Sequence, residues 1–177
     1  MKYSNQFFVF VLLVFLSCSK DAPLEVEPRG IAQPDILWTK TFGGSGADEG
    51  WSVQQTVDGG FIVAGFTESF GAGNADVWLI KLDTDGYEEW NQTFGGVAKD
   101  VGFSVSQLAD GGYIIGGYTE SFGAGGEDPW LIKTDASGNE VWNRTLGKSS
   151  GNDGAWEVQQ TVDNGYVIVG GSWLYKT

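Results

Sequence analysis

The sequence contains no histidine and only one cysteine, and its basic residues are few. Without histidine, the chain lacks the commonest general base and the commonest zinc ligand, so acid–base or metal chemistry would have to rest on carboxylates. Ten lysines and arginines stand against 23 aspartates and glutamates, which gives a formal net charge of −13. Contact with nucleic-acid phosphates needs a basic surface. We therefore predict a protein that is not an enzyme, carries no cofactor or metal and does not bind nucleic acid.

Long apolar runs are also missing. The longest covers residues 7–16, and it is too short for the roughly 20 apolar residues of a membrane-spanning helix. It follows Lys2 and precedes Ser17 and Cys18, which is the arrangement of an export signal peptide. A single cysteine cannot form a disulfide within the chain, so lipid attachment explains its position better than redox chemistry does.

The tripeptide that ends at Cys18 resembles the lipobox of bacterial lipoproteins, in which the cysteine is acylated and becomes the mature N-terminus. This resemblance implies that residues 1–17 are a signal peptide and that Cys18 carries a lipid anchor, with palmitate among its acyl groups. The residues SKD that follow resemble the export tag of some outer-membrane lipoproteins. They imply anchoring in the outer membrane with exposure at the cell surface. Residues 18–35 contain three prolines and no apolar periodicity, so we expect a flexible tether.

Glycine and aromatic residues, in contrast, are abundant. The chain has 28 glycines, and 14% of its residues are aromatic, which favours short strands joined by tight turns. A repeat organises residues 36–177: Trp38, Trp90 and Trp142 open WTKTFGG, WNQTFGG and WNRTLGK at a spacing of 52 residues. Periods of this size are typical of solenoids, arrays and propellers, and four-stranded propeller blades are the nearest in length.

Each repeat predicts four strands. In the first repeat they lie near residues 51–57, 60–67, 77–83 and 87–94. The sequences FIVAGF, YIIGGY and YVIVGG are apolar runs too short for helices, so we expect strands that are buried on both faces. We also expect at least five of the eight tryptophans to be largely buried between the sheets.

The stretch DGGYIIGGYTESFGAGGEDPWLIKTDASGNEVW resembles the blade repeats of cell-surface propeller proteins, which are related in architecture to kelch and pyrroloquinoline-quinone-type propellers. The resemblance implies an all-β domain of three four-stranded antiparallel blades and a surface location, but no single activity. Three blades are fewer than the usual four to eight. We therefore expect an array that is open, truncated, or closed by pairing of residues 36–44 with 173–177, either within one chain or between two copies as a homo-oligomer.

The SFGAG loops carry candidate ligand-binding residues. Phe70 and Phe122 stand near Asp76 and Asp128, and an exposed aromatic ring beside a carboxylate can stack on a sugar and hydrogen-bond to its hydroxyls. The alternative is that each phenylalanine packs its loop against the edge of a blade.

The segment that begins at Asp83 resembles the start of a calcium loop, since Asp83 and Asp85 offer closely spaced carboxylates. No glutamate completes such a loop, so a tight turn without metal is the interpretation we favour.

These observations predict a membrane-anchored lipoprotein that acts as a non-catalytic binding or scaffold module for an unidentified protein or glycan. One alternative is a carbohydrate-binding or glycan-processing accessory protein that uses the loop aromatics and carboxylates. Another is a degenerate fragment of a larger propeller.

Overall fold

The computed structural model describes residues 36–146, 153–171 and 173–177. All of the regular elements in these ranges are β-strands, which confirms the all-β prediction. The described ranges contain no helix that is long and apolar enough to cross a membrane. The predicted signal peptide, Cys18 and the tether lie outside the described residues.

Eleven strands form three antiparallel sheets, of four, four and three strands, and within each sheet the strands follow one another in chain order. The first sheet consists of β1 (Asp48–Gln55), β2 (Phe61–Thr67), β3 (Asp76–Leu82) and β4 (Glu88–Phe94). The second consists of β5 (Asp100–Gln107), β6 (Tyr113–Thr119), β7 (Asp128–Thr134) and β8 (Glu140–Thr145). The third consists of β9 (Glu157–Gln160), β10 (Tyr166–Val169) and β11 (Leu174–Lys176).

The first hairpin of each sheet has the same aspartate-glycine turn in all three repeats. In the first sheet, Asp58 accepts hydrogen bonds from the Thr56 hydroxyl and from the Gly60 amide, the latter at 3.0 Å. Gly59 has a φ of +87°, a conformation that glycine adopts without steric cost. Residues 110–112 and 163–165 repeat the turn, so the DGG and DNG sequences set the register of the strands on either side.

Side chains on the first strands of the first and third sheets bond to the backbone of the second sheet in or just after β5. Ser52 Oγ accepts a hydrogen bond from the Val105 amide at 3.2 Å, and Gln54 Oε1 accepts one from the Gln107 amide at 2.6 Å. At the second junction, Gln160 Oε1 accepts a hydrogen bond from the Ala109 amide at 3.2 Å. β5 therefore lies against both β1 and β9, and the first strands of the three sheets are neighbours.

The main core lies between the first two sheets. All seven residues of β3 and of β6 are buried, as expected of strands covered on both faces. Burial of each large aliphatic side chain contributes roughly 1.5–3 kcal/mol, so this junction supplies much of the stability. The largest of its fully buried side chains are Ile62, Leu79, Tyr113, Ile115, Trp130 and Ile132.

The structure corrects three expectations. The third sheet has three strands where the repeat predicts a four-stranded unit. None of the described sheets is closed, which agrees with the open alternative. Residues 36–44 form no strand and do not pair with β11 in the described chain. Of the eight tryptophans, only Trp78 and Trp130 are buried. Trp90 and Trp142 lie on the outer strands of their sheets and are only partly covered by the next sheet.

Candidate functional site

A row of aromatic side chains runs across the first strands of the three sheets. Trp51 and Phe103 are the extra residues of β-bulges in β1 and β5, since the pairing skips each of them. A bulge re-aims the side chain that it carries. Trp156 holds the equivalent repeat position immediately before β9. The aromatic row is therefore defined by Trp51, Phe103 and Trp156, one residue from each repeat.

The first gap of the aromatic row is closed by stacking. The rings of Trp51 and Phe103 lie 5.1 Å apart at an interplanar angle of 16°. Phe66 meets Trp51 edge-on at 5.8 Å, and Tyr118 meets Phe103 at 5.6 Å. Aromatic contacts of this kind contribute about 0.5–1.5 kcal/mol each beyond area burial, so this part of the row is preorganised.

The second gap of the aromatic row is open. A cavity of about 480 Å³ is lined by Phe103, Tyr118, Glu127, Gly154 and Trp156, a volume within the usual range for small-ligand sites. A Cβ on Gly154 would lie 2.9 Å from the Phe103 ring and 3.1 Å from the Trp156 ring. Glycine at this position therefore leaves room between the two rings, and we call this space the aromatic cleft.

Polar groups border the aromatic row. Glu127 lines the cleft, and Glu49 accepts a hydrogen bond from Trp51 Nε1 at 2.8 Å. Burial raises the pKa of the Tyr118 hydroxyl, an effect that the nearby Lys99 ammonium partly offsets. Trp156 is 60% exposed and Trp51 48% exposed. The cleft thus combines accessible ring faces with a carboxylate at its edge.

A buried and a half-buried carboxylate hold the loops beside the starts of β5 and β1. Asp100 accepts hydrogen bonds from the Thr119 hydroxyl, from Ser121 Oγ at 2.6 Å and from the Gly96 amide at 2.8 Å. Asp48 is held in the same way in the first repeat. Burial opposes its ionisation, but hydrogen bonds from Ser69, Thr67 and the backbone outweigh this and lower its pKa to about 2. Both carboxylates are occupied in joining loops to strands.

Of the four predicted ligand residues, the phenylalanines lie in two equivalent loops and the aspartates begin the strands that follow, where they face inward. Asp76 is 2% exposed and Asp128 1% exposed, and their Oδ2 atoms accept backbone amides of their own loops at 2.8 and 2.7 Å. Burial and the neighbouring Asp100 carboxylate raise the pKa of Asp76. These positions suit loop closure, and the ligand role of the aspartates stays a prediction.

Phe70 and Phe122 are about half exposed, and each packs on the tryptophan of the following strand. The ring of Phe70 lies 5.8 Å from that of Trp78, and the ring of Phe122 lies 5.5 Å from that of Trp130. The contact supports the loop-packing alternative for one face of each ring and leaves the other edge accessible.

Asp83 closes the turn between β3 and β4. Its Oδ1 accepts the amides of Asp85 and Tyr87 at 2.9 and 2.8 Å, and Asp135 does the same for the equivalent turn. Across the described ranges, no group of three or more histidine, cysteine, aspartate or glutamate side chains is arranged to hold a metal ion.

Comparison with known proteins finds no protein-family model and no curated protein that matches this chain. The site must therefore be interpreted from its own geometry.

The aromatic row was not predicted from the sequence. Its signal is the aromatic residue that recurs at positions 51, 103 and 156, each preceded within two residues by a glycine. This signal was hidden by the more regular tryptophans that open each repeat.

Proposed function

We propose that the chain is a lipid-anchored, surface-exposed binding module of the outer membrane without catalytic activity, and that the aromatic cleft is its ligand site. The observation that carries the proposal is the open gap between Phe103 and Trp156. The equivalent gap of the preceding repeat, between Trp51 and Phe103, is instead filled by ring stacking.

We infer a propeller-type arrangement of the sheets, which would suit this function. The antiparallel sheets repeat along the chain, their buried strands face one another, and their first strands β1, β5 and β9 are neighbours. In such an arrangement the first strands surround a common axis, and residues at their ends lie on one face of the array. The aromatic row lies along these first strands, and the exposed rings of Trp51 and Trp156 are accessible to a ligand.

The proposed anchor rests on the sequence. Acylation of Cys18 would fix the chain to the membrane, and residues 18–35 would hold the repeat domain away from the lipid surface. A net charge of −13 would also keep the domain off anionic membrane surfaces through repulsion.

A saccharide is the ligand class that the cleft favours. Sugar rings present apolar C–H faces that pack on aromatic rings and hydroxyl groups that donate hydrogen bonds to carboxylates. Phe103 and Trp156 supply the faces, and Glu127 supplies an acceptor. This observation favours the carbohydrate-binding alternative over a purely structural scaffold.

The test is a binding measurement with matched variants. We expect the wild-type protein to bind a member of a panel of bacterial and plant polysaccharides in affinity electrophoresis, and Trp156→Ala to weaken that binding at least about tenfold, which corresponds to about 1.4 kcal/mol. Trp51→Ala is the control, because Trp51 stacks on the far side of Phe103 from the cleft. Binding that both variants reduce equally, or no binding to any member of the panel, would contradict the saccharide proposal.

A further inference from the structure

Residues 36–46 pack on the first sheet as the last strand of one sheet packs on the next. The ring of Trp38 lies 5.9 Å from that of Phe61 at 68°. In the following repeat, the ring of Trp90 lies 5.9 Å from that of Tyr113 at 60°. Trp38 also covers Gly86, as Trp90 covers Gly138. The two tryptophans therefore occupy equivalent positions, although Trp90 belongs to a strand and Trp38 does not.

The backbone that follows Trp38 repeats the same pattern. The Gly44 amide donates to Asp48 at 2.8 Å, as the Gly96 amide donates to Asp100 at 2.8 Å. The Gly46 amide donates to Ser69 Oγ at 2.9 Å, and Ala98 donates to Ser121 Oγ at 3.1 Å in the next repeat. Residues 36–44 thus hold the position of a fourth strand whose own sheet is not present in the described part of the chain.

The third sheet has the complementary gap. Its order is β11-β10-β9, so within the described residues the outer edge of β11 has no strand beside it, whereas β3 and β7 pair there with β4 and β8. Apolar side chains are exposed at both unpaired edges: Leu174 is 70% exposed and Leu37 is 89% exposed. Exposed strand edges with apolar side chains favour pairing with another chain.

One chain does not bring these two edges together. Residues 36–44 contact the first sheet, β11 belongs to the third, and β5 of the second sheet lies between β1 and β9. We propose that residues 36–44 of one copy pair with β11 of a second copy, and that the reciprocal pairing closes two chains into a ring of six sheets. A twofold ring satisfies both edges of both copies, and six is within the range of closed propellers.

The pairing register follows from the two complete sheets. In the first sheet Ile80 pairs with Asn91, and in the second Ile132 pairs with Asn143. The equivalent residues at the two free edges are Tyr175 and Thr39. The next pair in each complete sheet joins a lysine to a tryptophan, which places Lys176 opposite Trp38. The proposal therefore commits to one antiparallel register.

Disulfide trapping tests both the partner and the register. Full-length chains with Thr39→Cys and full-length chains with Tyr175→Cys, each with a different tag, are produced together and oxidised. Residues directly opposite in an antiparallel pair have Cα atoms about 4.5–5.5 Å apart, within disulfide range. Thr41→Cys with Tyr175→Cys is the control, because a shift of two residues moves the Cα atoms to about 7–8 Å. Wild-type chains measure any background from Cys18.

We expect a disulfide-linked dimer from the Thr39 and Tyr175 combination and at least about fivefold less from the Thr41 combination. Both Thr39 and Tyr175 are exposed in the single chain, so neither substitution should prevent folding. A chain that carries both substitutions and links within itself would show closure inside one copy and would overturn the proposal. Equal linking in both registers, or none in either, would also overturn it. The result does not depend on the aromatic cleft, so the two proposals can fail separately.

Discussion

Three equivalent lysines make the same ion pair at three levels of burial. The side chains of Lys81, Lys133 and Lys176 are 5%, 20% and 56% exposed, and each pairs with the aspartate of its hairpin turn. Lys81 has the most partners, since it contacts Asp58 and Glu89 at 2.9 Å each. Burial opposes the charge on Lys81, but its hydrogen bonds to Glu89 and Asp58 outweigh this and raise its pKa.

Substitution of each lysine by methionine should therefore destabilise the fold in that order. Methionine keeps the apolar stem and removes the ammonium group. Removal of one partner of a buried ion pair costs about 3–5 kcal/mol, whereas exposed pairs contribute about 0–1 kcal/mol. The partner carboxylates of Lys81 are half exposed and can be rehydrated. We therefore expect about 2 kcal/mol for Lys81→Met, about 1 kcal/mol for Lys133→Met and no measurable change for Lys176→Met.

Equilibrium urea denaturation followed by tryptophan fluorescence measures these differences, because the eight tryptophans are spread over all three repeats. The three substitutions are chemically identical and occupy the same repeat position, so each is the control for the others. If Lys176→Met destabilised the protein as much as Lys81→Met, burial would not determine the strength of this pair, and the argument would be refuted.

Two further predictions concern the anchor and the half-buried carboxylate of Asp48. Cys18→Ser should release the protein from membranes or leave an unprocessed precursor, and an unchanged mass with unchanged lipid labelling would contradict lipid attachment. The pKa of Asp48 is about 2 against an ordinary value of 3.8, so its ionisation stabilises the fold above about pH 4, and this contribution disappears as the pH falls toward 2. Asp48→Asn should therefore lower the melting temperature at pH 7 more than at pH 2.5, as measured by circular dichroism.

The strands could be predicted where the repeat sequence carries its own signals. The second and third strands of each repeat are apolar and are bounded by glycine-containing turns, so the sequence predicts strands at residues 60–67 and 77–83, within one residue of β2 and β3. The sequence predicts the first strand at residues 51–57, but β1 starts at Asp48. The charged residues Asp48 and Glu49 do not look like a strand in the sequence, and they pair because the bulge at Trp51 restores the register.

The site was harder to predict because its residues depend on contacts between repeats. Phe70 and Asp76 are close in sequence, but their spacing does not say which way the carboxylate faces. In the structure the Ala72 amide donates a hydrogen bond to the Asp76 carboxylate, which therefore faces its loop and not the solvent. Phe103 and Trp156 are 53 positions apart, and the cleft between them exists only because two sheets pack together. Local patterns predict hairpins, whereas a cleft between sheets requires knowledge of how the sheets are spaced.

The glutamine and serine links between neighbouring sheets join each unit only to the units beside it. Ser52 and Gln54 bond to the second sheet, and Gln160 and the Val158 carbonyl bond to it from the other side. Stability in such an array is a sum over units and junctions. Gene duplication that adds a repeat would therefore create another junction of the same chemistry, so proteins built from this unit can change their number of sheets without a new interface having to evolve.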